Sequence, residues 1–228
     1  DLTYFFDGSE TFTMLKEQAA LFIQRDPLLV KPLFFDLTTR EAKHLFVALS
    51  IIFKNLLTLD STMKQIKRFL EIKQHYCHDQ SFLDALIHQL VLYDRSFSMR
   101  YMVHEFLFKN CIKNQGTLEQ QHLFLGTNPS RGTPCIGCFS MTELGHSSDL
   151  RGIETTATFD PATKEFIIHT PTLLATKWWI GMSGETATHT VALCKLILPT
   201  TAKGTSAQPM LHWFVVPLRD LKTGELLP

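Results

Sequence analysis

The chain has 228 residues, 45% hydrophobic, 11% aromatic and only 19% charged, which suits one large domain or two modest ones and excludes a disordered segment. Its 22 basic and 22 acidic residues cancel, which argues against a protein built to coat nucleic acid or an anionic membrane. No apolar run reaches the roughly 18 residues that a bilayer-spanning helix needs.

The opening Asp1-Leu2-Thr3-Tyr4-Phe5-Phe6 lacks an initiator Met and the layout of a signal peptide, so the chain is expected to be a piece of a longer protein. A first helix is expected from about Ser9 to Arg25, where Phe12, Leu15, Ala19, Phe22 and Ile23 follow the helical period and Pro27 forces an exit. Asp26-Pro27 and Lys31-Pro32 read as an extended link. Thr38 with Glu41 three residues on forms a capping box, and Leu45, Phe46, Leu49, Ile52, Phe53 and Leu56 then line one helical face. The helical pattern continues from Ser61 to Asn114 through Ile66, Phe69 and Leu70, then Phe82, Leu83, Leu86 and Leu90, then Tyr101, Met102 and Phe106. Polar turns near Asp79 and Asp94 divide it. Gln115-Gly116 stops the run, Thr117 and Gln120 open a short helix with a second capping box, and Gly126 closes it.

After Pro129-Ser130-Arg131-Gly132-Thr133-Pro134 the period changes from helical to alternating. Ile136 to Met141, Thr155 to Phe159, Glu165 to His169, His189 to Ile197 and His212 to Val216 read as strands. Asp160-Pro161-Ala162-Thr163 has the chemistry of a hairpin turn. The fold class expected is α+β: a helical N-terminal domain over 1–133 and a small antiparallel β-barrel or sandwich over 134–228.

Most of the residues that could carry chemistry have a plainer reading. Five cysteines, Cys77, Cys111, Cys135, Cys138 and Cys194, are odd in number and scattered, which fits a reducing compartment better than a disulfide framework. Cys135-x-x-Cys138 has half a zinc spacing, but no second pair follows, and two buried strand thiols are expected. His75, Cys77, His78 and Asp79 fall in a polar turn. No nucleophile elbow, Walker loop or zinc-protease motif is present, and His104-Glu105 sits inside a helical run. Lys177-Trp178-Trp179-Ile180-Gly181 differs. Adjacent tryptophans on an extended segment point to opposite sides, so both cannot share one core; packing is the commoner reading of a Trp, and the alternative is that one packs inward while the other walls a planar ligand. The run from Cys138 to Ala157 differs too, because an apolar strand gives way to hydroxyls, a histidine and carboxylates that need partners, and a bound ligand is one.

These two segments resemble the acyl-CoA oxidase and acyl-CoA dehydrogenase flavoproteins. Thr142-Glu143-Leu144-Gly145-His146-Ser147-Ser148-Asp149 is similar to the Thr-Glu-Pro-Gly-x-Gly-Ser-Asp segment of the dehydrogenases, and more so to the Thr-Glu-x-Gly-His-Gly segment of the peroxisomal oxidases. The continuation to Pro161, the Lys177-Trp178-Trp179 run, Asn114 to Gln121 and His212 to Asp220 resemble further family segments in family order.

The resemblance implies a helical N-terminal domain, a β middle domain and helical C-terminal domains beyond this chain, with FAD held between the middle and C-terminal parts. It implies that Thr142 hydrogen-bonds the flavin, that Gly181 lets the backbone approach the ring, that Trp179 lies beside it and that Met141 belongs to the same cofactor site. Ser148 and Gly145 are assigned to the acyl-CoA, with Ser148 near its chain or the pyrophosphate. The reaction implied is α,β-desaturation of a fatty acyl-CoA to the trans-2-enoyl thioester, with electrons passed to O2 to give H2O2 in peroxisomal β-oxidation. A homodimer is implied for the full-length protein. The catalytic base is implied to come from a C-terminal helix, so no catalytic residue is assigned here, and Glu143 and Glu154 take structural or binding roles.

Gly181, where dehydrogenases often place Thr after Trp-Ile, opens space through which O2 would reach the ring. Ser147 stands where the motif prefers Gly, and a backbone needing positive φ there would be strained by its Cβ. Ile180, Met182 and Glu185 replace the usual Pro, Gly and Lys. These departures leave a second reading, a divergent paralogue that binds acyl-CoA or flavin without turnover.

Overall fold

The computed structural model describes residues 2–29, 59–125, 135–184, 186–199, 210–221 and 223–227. The expected helix from Thr38 to Leu56, the Lys31-Pro32 link, Gly126, the 129–134 linker and Glu185 lie outside those residues. The chain divides into two compact units, 1–101 and 102–228.

The first unit is helical: α1 (Leu2–Asp7), α2 (Glu10–Arg25), α3 (Leu59–His75), α4 (Gln80–Tyr93) and α5 (Arg95–Met102). Ser9 caps α2 by accepting from the Phe12 amide at 3.1 Å, which places the start where the sequence puts it. The two polar turns are also caps, since Asp79 accepts from Phe82 N and Asp94 from Phe97 N, each at 2.9 Å. Between them α4 buries Phe82, Leu83, Leu86 and Leu90. Phe69 packs edge-on against Phe97 and Tyr101, and Phe22 against Tyr76 and Phe82. No helix among the described residues is long and apolar enough to cross a membrane.

The second unit opens on a π-helical segment, Val103–Phe108, followed by α6 (Lys109–Gln115) and α7 (Leu118–Leu125). The wider turn shifts the helical register. His104 and Phe108 face inward, while Phe106, expected in the core, is exposed. The Thr117 capping box is complete, with Thr117 N donating to Gln120 Oε1 at 2.9 Å and Gln120 N to Thr117 Oγ1 at 3.2 Å.

Five strands follow among the described residues: β1 (Gly137–Ser140), β2 (Thr156–Asp160), β3 (Glu165–His169), β4 (His189–Ile197) and β5 (Met210–Pro217). The sheet is mixed and not purely antiparallel as expected. Along one edge of β4, β1 pairs through its first half and β2 through its second, both parallel, while β5 runs antiparallel along the other edge. No pairing among the described residues closes it into a barrel. Long connections between β1 and β2 and between β3 and β4 allow the parallel pairings. Among the described residues only β2–β3 is a tight hairpin. There Asp160 Oδ1 accepts from Ala162 N at 2.9 Å, and Lys164 takes a left-handed φ of 61° to re-enter the strand.

One face of the sheet packs on the helices of its own unit through Phe108, Ile112 and Val191, with Phe139, Trp213 and Val215 around them. The units therefore divide earlier than the change of sequence period near residue 133, because the helices of 103–125 bury their apolar side on this sheet. Contact is closest at Gly137, whose amide donates to His104 Nδ1 at 3.1 Å and whose Cβ, if present, would lie 2.0 Å from the Phe108 ring. Gly137→Ala is expected to lower stability by roughly 2 kcal/mol through overpacking. A melting temperature unchanged by that substitution would contradict the close approach.

Candidate functional site

The chain leaves β1 at Ser140, and residues 142–145 pair with a second segment, 174–178, far along the sequence. Leu144 N donates to Thr176 O at 2.8 Å, Gly145 N to Leu174 O at 2.9 Å and Trp178 N to Thr142 O at 3.1 Å. Thr142 Oγ1 adds a bond to Trp178 O at 2.6 Å. Gly145 permits the approach, since a Cβ there would stand 2.9 Å from Leu174 Cβ. The two segments singled out in the sequence thus lie side by side.

What locks them is the carboxylate of Glu143, whose side chain is fully buried. Its Oε1 accepts from Thr155 N at 3.0 Å, Thr155 Oγ1 at 2.5 Å and Lys177 Nζ at 3.2 Å. Its Oε2 accepts from Glu154 N at 2.9 Å and His146 Nδ1 at 2.9 Å. Burial by itself raises the pKa of this group. The Thr155 hydroxyl, the Glu154 and Thr155 amides and His146 outweigh it and hold the carboxyl at about 2. A carboxylate so acidic and so fully engaged cannot take a proton from a substrate at neutral pH. Lys177 ties the same centre to the sheet, donating also to Met141 O at 3.2 Å and Leu193 O at 2.7 Å.

The tryptophans depart from the alternation expected of them. Trp179 has φ of 62°, so the segment is not extended there, and neither indole enters a core: Trp178 is 50% exposed and Trp179 90%. Met182, two residues past Ile180, is also left-handed, with φ of 75°. Such backbone in residues with side chains costs about 1–3 kcal/mol each and marks positions held by their surroundings. The strain expected at Ser147 is absent. Among the described residues only Lys164, Trp179 and Met182 combine a side chain with positive φ, because the turn after Gly145 is made by His146 returning its amide to Glu143 O.

Of the residues assigned to a cofactor, Thr142 is bonded to Trp178, Trp179 follows directly, and Met141 lends its carbonyl to Lys177. Gly181 is exposed, has no positive φ, and would carry a Cβ into open space, with nothing within 4 Å. The proton of the Thr142 hydroxyl is committed to Trp178 O, so toward a ligand this oxygen accepts. Gly145 and Ser148 lie on the exposed turn leading to the short 3-10 helix Leu150–Gly152, where Asp149 is the cap. Cys135 and Cys138 are buried and not joined in a disulfide, and burial pushes the Cys138 thiol up, which keeps it protonated and inert.

The sequence placed Lys177 and Arg219 in the segments singled out above but gave neither a role. Arg219 is buried and donates to the carbonyls of Ser183, Gly184 and Ala187 in the turn after the tryptophans. Nothing local distinguishes either from an ordinary surface cation.

Residues 1–128 match the family described as acyl-coenzyme A oxidase N-terminal, and residues 138–226 the acyl-CoA dehydrogenase middle domain. Acyl-coenzyme A oxidase 2 of Yarrowia lipolytica is 36% identical over 227 residues, 99% of this chain and 29% of the relative. Peroxisomal acyl-coenzyme A oxidase 1 of Cavia porcellus is 44% identical over 122 residues, 54% of this chain and 17% of the relative. Among solved structures, acyl-CoA oxidase-2 of Caenorhabditis elegans, bound with FAD, ascaroside-CoA and ATP, superposes with a TM-score of 0.66 at 28% identity, covering 99% of this chain and 30% of that one. The chain therefore spans about a third or less of the length of these proteins.

Proposed function

We propose, since this chain belongs to the acyl-CoA oxidase family, that it supplies the flavin-facing and acyl-CoA-facing part of an FAD-dependent acyl-CoA oxidase. Residues 1–133 serve as the helical N-terminal domain and 134–228 as the middle domain, with helical C-terminal domains completing the enzyme. The observation that carries the reading is the pairing of Thr142 with Trp178. It sets an exposed indole in left-handed backbone beside a hydroxyl that can only accept, with open space at Gly181 nearby in sequence.

These residues fit FAD. A flat apolar wall with a few fixed polar groups is how sites for planar cofactors are built. Trp179 would cover the ring and exclude water, Thr142 would accept from a ring N–H, and Met141 and Gly181 would border it. Ser148 and Gly145 would meet the acyl-CoA. The chemistry FAD supplies when bound is acceptance of two electrons from the substrate and their return to O2, giving a trans-2-enoyl-CoA and H2O2. The α-proton would go to a base on the C-terminal part, because Glu143, with its carboxyl held at about 2 and buried among its donors, is too weak a base to take it. The name of the Cavia porcellus relative, a peroxisomal acyl-coenzyme A oxidase, supports a peroxisomal setting, and we read the full-length protein as a homodimer acting in fatty-acid β-oxidation.

The intact protein is expected to purify yellow and to release peroxide when long-chain acyl-CoA is added. A colourless protein that binds acyl-CoA would instead be the non-catalytic paralogue, and the ordinary φ of Ser147 removes one argument for that alternative.

Gly181 gives the reading a residue-level test. In Gly181→Thr the added Cβ has no described atom within 4 Å and needs no unusual φ, so folding and colour are expected to survive. O2 consumption with acyl-CoA is expected to fall by an order of magnitude or so, a barrier of about 1.4 kcal/mol. An oxygen electrode trace equal to that of the unsubstituted protein would show that the space at Gly181 does not admit O2.

A further inference from the structure

Arg219 lies two residues past the end of β5 and is 5% exposed. Its Nη1 donates to Ser183 O and Ala187 O, each at 2.9 Å, and its Nη2 to Gly184 O at 2.6 Å. Inside the same turn, Met182 O accepts from Thr186 N at 3.0 Å and Ala187 N at 2.9 Å, and Ser183 Oγ closes on Ile180 O at 2.8 Å. The backbone is thus wound round a planar cation, with three carbonyls converging on one guanidinium. Convergent carbonyl dipoles repel unless a cation or donor stands between them. The fixed fork of an Arg orients three peptide planes at once, which the single point of a Lys ammonium does not.

The turn needs such a centre. Trp179 and Met182 hold φ of 62° and 75°, a region that residues with side chains leave unless something outside their own dihedrals holds them. We propose that Arg219 is a positioning residue, a built-in cation on which the turn formed by residues 180–184 and 186–187 is moulded, so that Trp179 and Gly181 keep the ligand-facing arrangement described above. It touches no ligand and acts only through the turn. The inference rests on the flavin reading for its consequence, though not for its geometry.

Hydrogen–deuterium exchange on the intact protein, with an FAD titration in parallel, tests it. In Arg219→Ala the amides of 180–187 are expected to exchange roughly tenfold faster or more, as a locally opened segment does, and FAD affinity to fall with them. Low-millimolar guanidinium ion, the excised group itself, is expected to slow the exchange and recover the affinity. Sodium or methylammonium at the same concentration is expected to do neither. Arg219→Lys, which keeps charge and most of the bulk, is expected to show intermediate exchange without a guanidinium response.

Exchange in the turn that matches the unsubstituted protein would overturn the proposal. So would acceleration spread evenly over 102–228 with no recovery by guanidinium, in either variant. If the turn responds as expected but neither the variants nor the unsubstituted protein binds FAD, the positioning role stands and the flavin reading fails.

Discussion

Replacing Glu143 by Gln is expected to cost roughly 3 kcal/mol of stability, and by Ala about 3–5 kcal/mol, because each leaves buried groups facing a centre that no longer carries a charge. Five donor contacts meet in that carboxylate, from Thr155 twice, Glu154, His146 and Lys177. A Gln amide can accept at one end only, and its NH2 would confront either the Thr155 or the Glu154 amide. The pH dependence carries the same signature. The carboxyl titrates at about 2 in the fold against 4.5 as a free group. Its contribution is therefore complete above pH 4.5 and is lost as pH falls from about 4.5 to about 2, a difference of roughly 3 kcal/mol. Urea unfolding across that range is expected to show a steep loss in the parent and a shallower one in Glu143→Gln. Parallel curves for the two proteins would mean that Glu143 is not the group holding the segments together.

Trp179→Gly is expected to act in opposite directions on folding and on binding. The indole is 90% exposed and its backbone has φ of 62°, so removing it sacrifices little packing and relieves left-handed strain. Stability is expected to hold or rise by about 1 kcal/mol, where loss of a core Trp would cost about 3–5 kcal/mol. Flavin affinity is expected to fall roughly tenfold to a hundredfold, since a heteroaromatic ring stacked on an aromatic side chain is worth about 1–3 kcal/mol. A melting curve and an FAD titration decide it. Lower stability with unchanged affinity would place the indole in the fold and outside the site.

Local structure in this chain was legible wherever a short-range bond decides it. The Thr117–Gln120 box and the Asp160 turn each satisfy their own backbone within a few residues, so side-chain type and spacing reveal them. The parallel pairing of β1 and β2 on β4 was not legible, because alternation marks a strand without naming its neighbour. The same limit hid the layer on which residues 103–125 pack, which depends on Phe108 and Ile112 meeting Val191 far away in sequence.

At the site, resemblance marked Thr142 and the tryptophans, but the alternation rule failed at Trp179. A left-handed residue is usually announced by Gly or Asn, and here the conformation is imposed from outside. The groups that impose order are charges, the buried Glu143 and Arg219 and the partly buried Lys177, whose partners are backbone atoms remote in sequence. A linear reading sees such residues only as polar.

The most direct test is a crystal structure of the intact protein grown with FAD. The expected result places the flavin ring against the Trp179 indole, with Thr142 Oγ1 accepting one of its N–H groups and no side chain between the ring and Gly181. A ring seated elsewhere on the protein, with Trp179 and Thr142 facing solvent or packed against other side chains, would contradict the assignment of this face.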